Sequence, residues 1–295
     1  MRDNLKGWIY ILTTVFFFST LEVVTKPYSG IFNPLQLTFL RFLFGGLILL
    51  IYILTTGSLK YYKLTFKKLL IMGLIGSLNS MIAMSFLQLS VKFSNASTAA
   101  ILISANPIFV VFLAWIFLKE KINFRKILSI IIGLVGIALI IMSNTAGDTV
   151  IGLIFGSLSA LSFGMYTILV KKFVSKIPSN IFVTFSFLVS SIFFFIFLKI
   201  MNIPTFTFKI DDFNIIWMLI YLSLGITGIA YITFFKAFKY LDASQGAFAF
   251  LLKPAIAMIL SYIFLSDVPN SQKILGSSLI VLAVAIIAKQ KKQNN

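Results

Sequence analysis

Apolar residues run along this chain in stretches of about 20, separated by short links rich in Lys, Asn, Ser or Pro. At ~1.5 Å per residue, such a stretch forms a helix of ~30 Å, the thickness of a bilayer's hydrocarbon core. Lipid offers the backbone no hydrogen-bond partners, so a spanning stretch must be helical. Barrel strands would instead alternate polar and apolar side chains. The pattern predicts ten spans, at residues 8–27, 34–55, 69–90, 96–118, 127–143, 151–170, 180–199, 214–235, 243–265 and 274–289. The links between spans three and four and between eight and nine are only weakly polar, so merging is easiest there. The opening Met1-Arg2-Asp3-Asn4-Leu5-Lys6 runs into a full-length apolar span with no small-residue cleavage site, and reads as part of the first helix.

Composition agrees with the pattern. Of 295 residues, 59% are hydrophobic and 11% charged, with a mean hydropathy of +1.03; a soluble domain carries about 25% charge. Cysteine and histidine are absent, which removes disulfides, zinc sites, thiol nucleophiles and histidine acid–base chemistry together. Eight acidic residues argue against a carboxylate metal cluster, and no Walker A pattern is present. No cofactor or metal is therefore expected, and an enzyme would lack obvious catalytic parts.

The net charge of +17 lies mostly between the spans, where it reads as a topology signal and a contact to anionic lipid, with no nucleic acid implied. With the N-terminus placed in the cytoplasm, roughly 18 basic residues fall in inner segments. The outer segments hold Lys26, Lys92, Lys199, Lys209 and Lys273. The expectation is a multi-pass protein of the inner (cytoplasmic) membrane with both termini in the cytoplasm.

The chain also aligns with itself at an offset of roughly 147 residues. Asn95-Ala96-Ser97 falls on Asp242-Ala243-Ser244, Asn106-Pro107 on Lys253-Pro254, Ile116-Phe117-Leu118 on Ile263-Phe264-Leu265, and Asn123 on Asn270. Five spans per repeat is an odd number, so the second copy must enter the membrane upside down. The charges follow: Lys119, Lys121, Arg125 and Lys126 face Ser266, Val268, Gln272 and Lys273 in the alignment. Opposed halves of this kind support alternating access in many transporters.

The repeat resembles the EamA unit of the drug/metabolite transporter superfamily. The resemblance rests on Pro34 with Arg41-Phe42 seven residues later, on Asn95-Ala96-Ser97 through Pro107 to Phe117-Leu118-Lys119-Glu120, and on Gly133-Leu134-Val135-Gly136. In the second half, Ala243-Ser244 through Pro254 to Asp267 is similar, with Asp where the family usually has Glu. The first span departs: Phe17-Phe18-Ser19-Thr20 stands where a Trp-Gly pair is common. The resemblance implies an all-α membrane fold of ten helices around a central cavity. Residues 1–147 would form one EamA-like repeat and 148–295 the other. It also implies small-metabolite solutes such as amino acids, commonly exported.

Ionisable groups at membrane depth are functional candidates, because burying them is costly without partners. Lys253 lies near the middle of span nine before Pro254, and its repeat partner Asn106 lies near the middle of span four before Pro107. Each proline removes an N–H and frees a carbonyl, marking a kink. Glu22, in the outer half of span one, is the carboxylate clearly inside a span; it is expected to pair with Lys253 or Arg41, bind solute, or couple protons, since carboxylates held from water favour the protonated form. Asn79, Tyr166 and Tyr231 offer further substrate contacts. Arg41 is close enough to the end of span two for its long stem to reach the interface, and reads as structural. Glu120, Asp267, Ser97, Thr98, Ser104, Gln88, Ser244 and Gln245 read as gate, packing or structural groups.

The expected function is a secondary transporter for a small polar metabolite such as an amino acid, working by alternating access. A flippase for a lipid-linked sugar, or a non-transporting assembly or sensor subunit, are the alternatives. The expected partners are the bilayer and a small-molecule substrate; monomer and homodimer both stay open.

Overall fold

The computed structural model describes residues 2–60, 62–119, 122–143, 146–173, 177–206, 213–237, 240 and 252–288. Every regular element among them is helical. The first two spans are α1 (Arg2–Thr25) and α2 (Pro34–Thr55). Pro34 occupies the first turn of α2, where its missing N–H costs nothing, and Asn33 Oδ1 caps Leu35 N at 2.9 Å. The third span is α3 (Phe66–Ser77), a π-helical stretch Leu78–Ala83, and α4 (Met84–Phe93). Ser94 and Asn95 then take extended backbone, so spans three and four stay separate.

The fourth span breaks where Pro107 predicts it. α5 (Ala96–Ser104) and α6 (Asn106–Leu118) meet at Ala105. Pro107 frees the carbonyl four residues earlier, and Asn106 Nδ2 donates to that oxygen, Ile103 O, at 2.9 Å. α7 (Phe124–Ile141), α8 (Val150–Phe173) and α9 (Ser179–Ile200) follow. The eighth span is α10 (Phe213–Ile220), a second π-helical stretch Tyr221–Ile229, and α11 (Ala230–Ala237). The chain closes with α12 (Leu252–Leu265) and α13 (Ser271–Ala288).

Eight helical spans among the described residues are long and apolar enough to cross a membrane, and the two shorter apolar helices α12 and α13 lie where spans nine and ten are expected. Ser244 and Gln245, in the first part of expected span nine, and Glu120 lie outside the described residues.

Helix boundaries recur at the 147-residue offset: 66 to 213, 118 to 265, 124 to 271 and 141 to 288. The residues just past the ends of α6 and α12, Lys119 and Ser266, are both left-handed, with φ of 52° and 55°. The two π-helical stretches overlap at the same offset.

Burial is inverted relative to a soluble protein. Phe66, Phe124, Ile51 and Ile263 are exposed, while Thr14, Ser19, Glu22, Asn79, Ser80 and Ser190 are buried. Apolar side chains face outward, as lipid allows, and polar ones face the interior. The main core joins α2, α9 and the third and eighth spans through Leu40, Phe42, Phe187, Phe194 and Ile226.

α7 and α13 pack backbone to backbone. A Cβ on Gly136 would meet Gly276 O at 2.8 Å, and one on Gly276 would meet Gly136 O at 2.7 Å. Ser129 Oγ also donates to Ala283 O at 2.7 Å. Small residues let helices approach this closely in membranes. Gly276→Val is expected to cost about 1–3 kcal/mol through overpacking. Thermal unfolding of the detergent-solubilised protein measures it, and an unchanged melting temperature would remove this contact from the account of the fold.

Candidate substrate site

The polar interior gathers between spans one, two, three, eight and nine. Lys253 Nζ donates to Glu22 Oε1 at 3.0 Å, joining α12 to α1. Glu22 is fully buried, and its Oε2 has no hydrogen-bond partner. Of the partners anticipated for Glu22, the structure selects Lys253. That lysine stands in the first turn of α12, ~18 Å from the C-terminal end of that helix. The distance is too long for its stem to reach an interface at that end.

Arg41 departs from expectation. It is 4% exposed and does not extend to the end of α2. Its guanidinium sits 4.5 Å above the Phe42 ring centroid, within electrostatic reach of Tyr231 and Glu22. Phe42 packs edge-on against Phe187 at 4.7 Å, and Phe187 against Tyr231 at 5.1 Å, which builds an aromatic wall beside the charges. Phe18 completes it, 5.3 Å from Tyr231. These phenylalanines escape sequence reasoning because nothing separates them from the many others in the chain.

Asn79 is fully buried in the first π-helical stretch. Its side chain lies beside the Tyr231 hydroxyl, yet neither its amide nitrogen nor its oxygen has a hydrogen bond of ordinary geometry. A π turn widens the helix and often marks a functional position. No local sequence signal announces either stretch. Tyr166 on α8 stacks on Phe182 at 6.4 Å and lies near Tyr231. Tyr166, Tyr231, Lys253 and Asn106 all keep part of their surface accessible despite their depth. Asn106 departs in part: its amide nitrogen is engaged by the Ile103 carbonyl, which leaves its oxygen as the group able to meet a solute. Among the described residues no group of His, Cys, Asp or Glu can hold a metal ion.

A second cluster closes one end of the bundle. Lys273 is fully buried between Asp267 Oδ1 at 3.3 Å and Asp148 Oδ2 at 3.8 Å. Asp267 Oδ2 accepts from Ser97 Oγ and from Ser261 Oγ at 2.9 Å. Asp148 accepts from Asn95 N and Thr98 Oγ1, both at 2.8 Å. Lys26 Nζ donates nearby to Val91 O and Ser94 O, at 2.9 and 2.6 Å. A pocket of about 430 Å³, lined by Asn95, Ser266, Asp267 and Asn270, opens above it. Burial alone would push the Asp267 carboxyl up, but Lys273 and the hydroxyls of Ser97 and Ser261 outweigh it and hold the carboxyl below its ordinary value. Asp148 goes unnoticed in the sequence because it sits at the junction of the two repeats, without a partner in the self-alignment.

The model of the EamA-like transporter family matches the chain twice, at residues 5–142 and 150–289. The chain belongs to the EamA-like transporter family. An uncharacterized transporter of Clostridium kluyveri is 32% identical over 98% of this chain and 95% of its own length. An S-adenosylmethionine uptake transporter of Rickettsia felis is 24% identical over 99% of this chain and 97% of its own. A crystal structure covers 100% of the chain and 99% of its own, with a TM-score of 0.66 at 19% identity, and shows likeness of fold alone. This EamA-family chain is thus a multi-pass membrane protein of the drug/metabolite transporter superfamily, related to transporters along its whole length.

Proposed function

We propose that this chain is a secondary transporter that exports a small polar metabolite, such as an amino acid, across the cytoplasmic membrane by alternating access. The observation that carries the reading is the Glu22–Lys253 pair at membrane depth, set among polar atoms that have no hydrogen-bond partner among the described residues. Packing alone gives no reason to keep such groups, because each is expensive in an apolar interior.

In this reading α12 and α13 are spans nine and ten, and residues 1–147 and 148–295 are two inverted five-helix repeats. The shared boundaries at the 147-residue offset and the two family matches support the duplication. The opposite loop charges support the inversion and a cytoplasmic location of both termini. Lys253, Asn106, Asn79, Tyr166 and Tyr231 contact the solute, and Glu22 supplies the opposite charge or carries the coupling proton. Pro107 and Pro254 give the kinks. The Asp148–Lys273–Asp267 cluster then shuts the outer end. That a relative is named for uptake of S-adenosylmethionine supports a small-metabolite solute.

The test is a thermal-shift screen of purified protein against amino acids, nucleosides and organic cations, followed by counterflow of each hit in proteoliposomes. A ligand stabilises the state it binds. At least one amino acid is expected to raise the melting temperature and exchange across the membrane. Stabilisation confined to organic cations or nucleosides would overturn the substrate class.

A further inference from the structure

Arg41 carries a positive charge ~10 Å into α2 and, among the described residues, forms no ion pair of its own. Among the described residues its guanidinium enters no hydrogen bond and no ion pair, and its Nε is wholly shielded. Its guanidinium lies over the face of the Phe42 ring. Glu22 is nearby, but Glu22 Oε1 already holds Lys253, so that pair is neutral and Arg41 is the surplus charge. A guanidinium used as a structural brace donates to carbonyls or carboxylates; this one donates to neither.

Around the surplus charge lie unused acceptors. Among the described residues Glu22 Oε2 and the Asn79 amide are buried and form no hydrogen bond of ordinary geometry, the amide lying beside the Tyr231 hydroxyl. A guanidinium fork fits a carboxylate with two parallel hydrogen bonds. A free carboxylate oxygen fits an ammonium. A phosphate would also suit Arg41, but its further charge would face Glu22 Oε2 and be repelled.

We propose that Arg41 anchors the carboxylate of the transported solute, while Glu22 Oε2 and the Asn79 side-chain oxygen accept from its ammonium group. The solute is an α-amino-acid-like zwitterion with a free carboxylate. This rests on the transport reading above and narrows its substrate class. It also gives Arg41 a binding role in place of a structural one.

The experiment uses purified full-length protein, with wild type, Arg41→Met and Arg41→Lys compared by thermal unfolding and by counterflow in proteoliposomes. The probes are the proteinogenic amino acids, their amides, the matching carboxylic acids without the amine, and inorganic phosphate. Without ligand, Arg41→Met is expected to melt at the wild-type temperature or above it, because no internal partner is lost. In wild type an amino acid stabilises the protein, and its amide binds ~30-fold more weakly or worse. Arg41→Met loses this response and the flux, and Arg41→Lys keeps part of both.

A lower melting temperature for unliganded Arg41→Met identifies a brace and overturns the proposal without any ligand being needed. Equal binding of acid and amide, or a response to phosphate alone, overturns it as well. Wild-type flux that persists in Arg41→Met leaves the transport reading standing and removes the anchor. A wild type that neither binds nor exchanges any probe overturns both.

Discussion

Lys253→Ala is expected to abolish transport in proteoliposomes while the protein still folds and purifies as a single species. Among the described residues Lys253 is the ion-pair partner of Glu22, and Glu22 is wholly enclosed. Removing one member of a buried pair leaves the other uncompensated and costs about 3–5 kcal/mol. The single variant therefore melts lower as well as failing to transport, and melting alone does not separate function from folding. The double variant Glu22→Gln with Lys253→Met does. It removes both charges together, which is neutral to stabilising by about 1–4 kcal/mol in comparable buried pairs. A double variant as stable as wild type but without flux places the pair in the transport cycle. Wild-type flux from either variant would show a static brace between α1 and α12.

Much of this geometry is readable from the chain because lipid imposes a simple rule. A backbone in hydrocarbon must satisfy itself, so apolar length translates directly into helices. The break at Ala105 follows equally directly from Pro107, since a proline always frees the carbonyl four residues back. The Glu22–Lys253 pair was legible for a related reason: few charges lie within spans, and opposite ones at depth seek each other. Arg41 was misplaced because depth along a helix does not say which way a side chain faces. A stem long enough to reach the interface is also long enough to turn inward. The π-helical stretches at Leu78–Ala83 and Tyr221–Ile229 were invisible because they depend on packing against α1, α2 and α8, as with Ser159 Oγ donating to Ala83 O at 2.7 Å. The Asp148–Lys273–Asp267 cluster joins the link before α8 to Asp267 and Lys273 at the link between α12 and α13, far apart in sequence, and pairings of that kind have no local signature.

Under the proposed alternating access, the two ionic clusters take different parts. The Glu22–Lys253 pair joins α1 to α12 at depth, and at one end Asp267 and Asp148 hold Ser97, Asn95 and Thr98 at the start of the fourth span. For a solute to leave through that end, Asp148, Asp267 and Lys273 must separate and rehydrate. The 430 Å³ pocket above them already supplies water-accessible space for that step. In that reading, opening trades a compact ionic network for solvation.

Lys273→Met tests that network, with a large expected effect. It leaves Asp148 and Asp267, whose side chains are 2% and 4% exposed, with hydroxyl and amide donors and only the more distant charge of Lys26. Loss of a buried partner costs about 3–5 kcal/mol, read as a lower melting temperature in detergent. An unchanged melting temperature would mean that the lysine contributes no net stability. Asp267→Asn supplies the pH arm. Because the Asp267 carboxyl is held below its ordinary value when folded, its charged form contributes stability that is fully present above the unfolded pKa of ~3.9. That contribution is lost only as pH falls through the lower folded value. The gap in melting temperature between wild type and Asp267→Asn should then stay constant from about pH 8 to about pH 5 and narrow only below about pH 4. A gap that closes between pH 7 and pH 6 would show that burial outweighs Lys273 and the two serines, and that this end opens by protonation of Asp267 instead of by exchange of ionic partners.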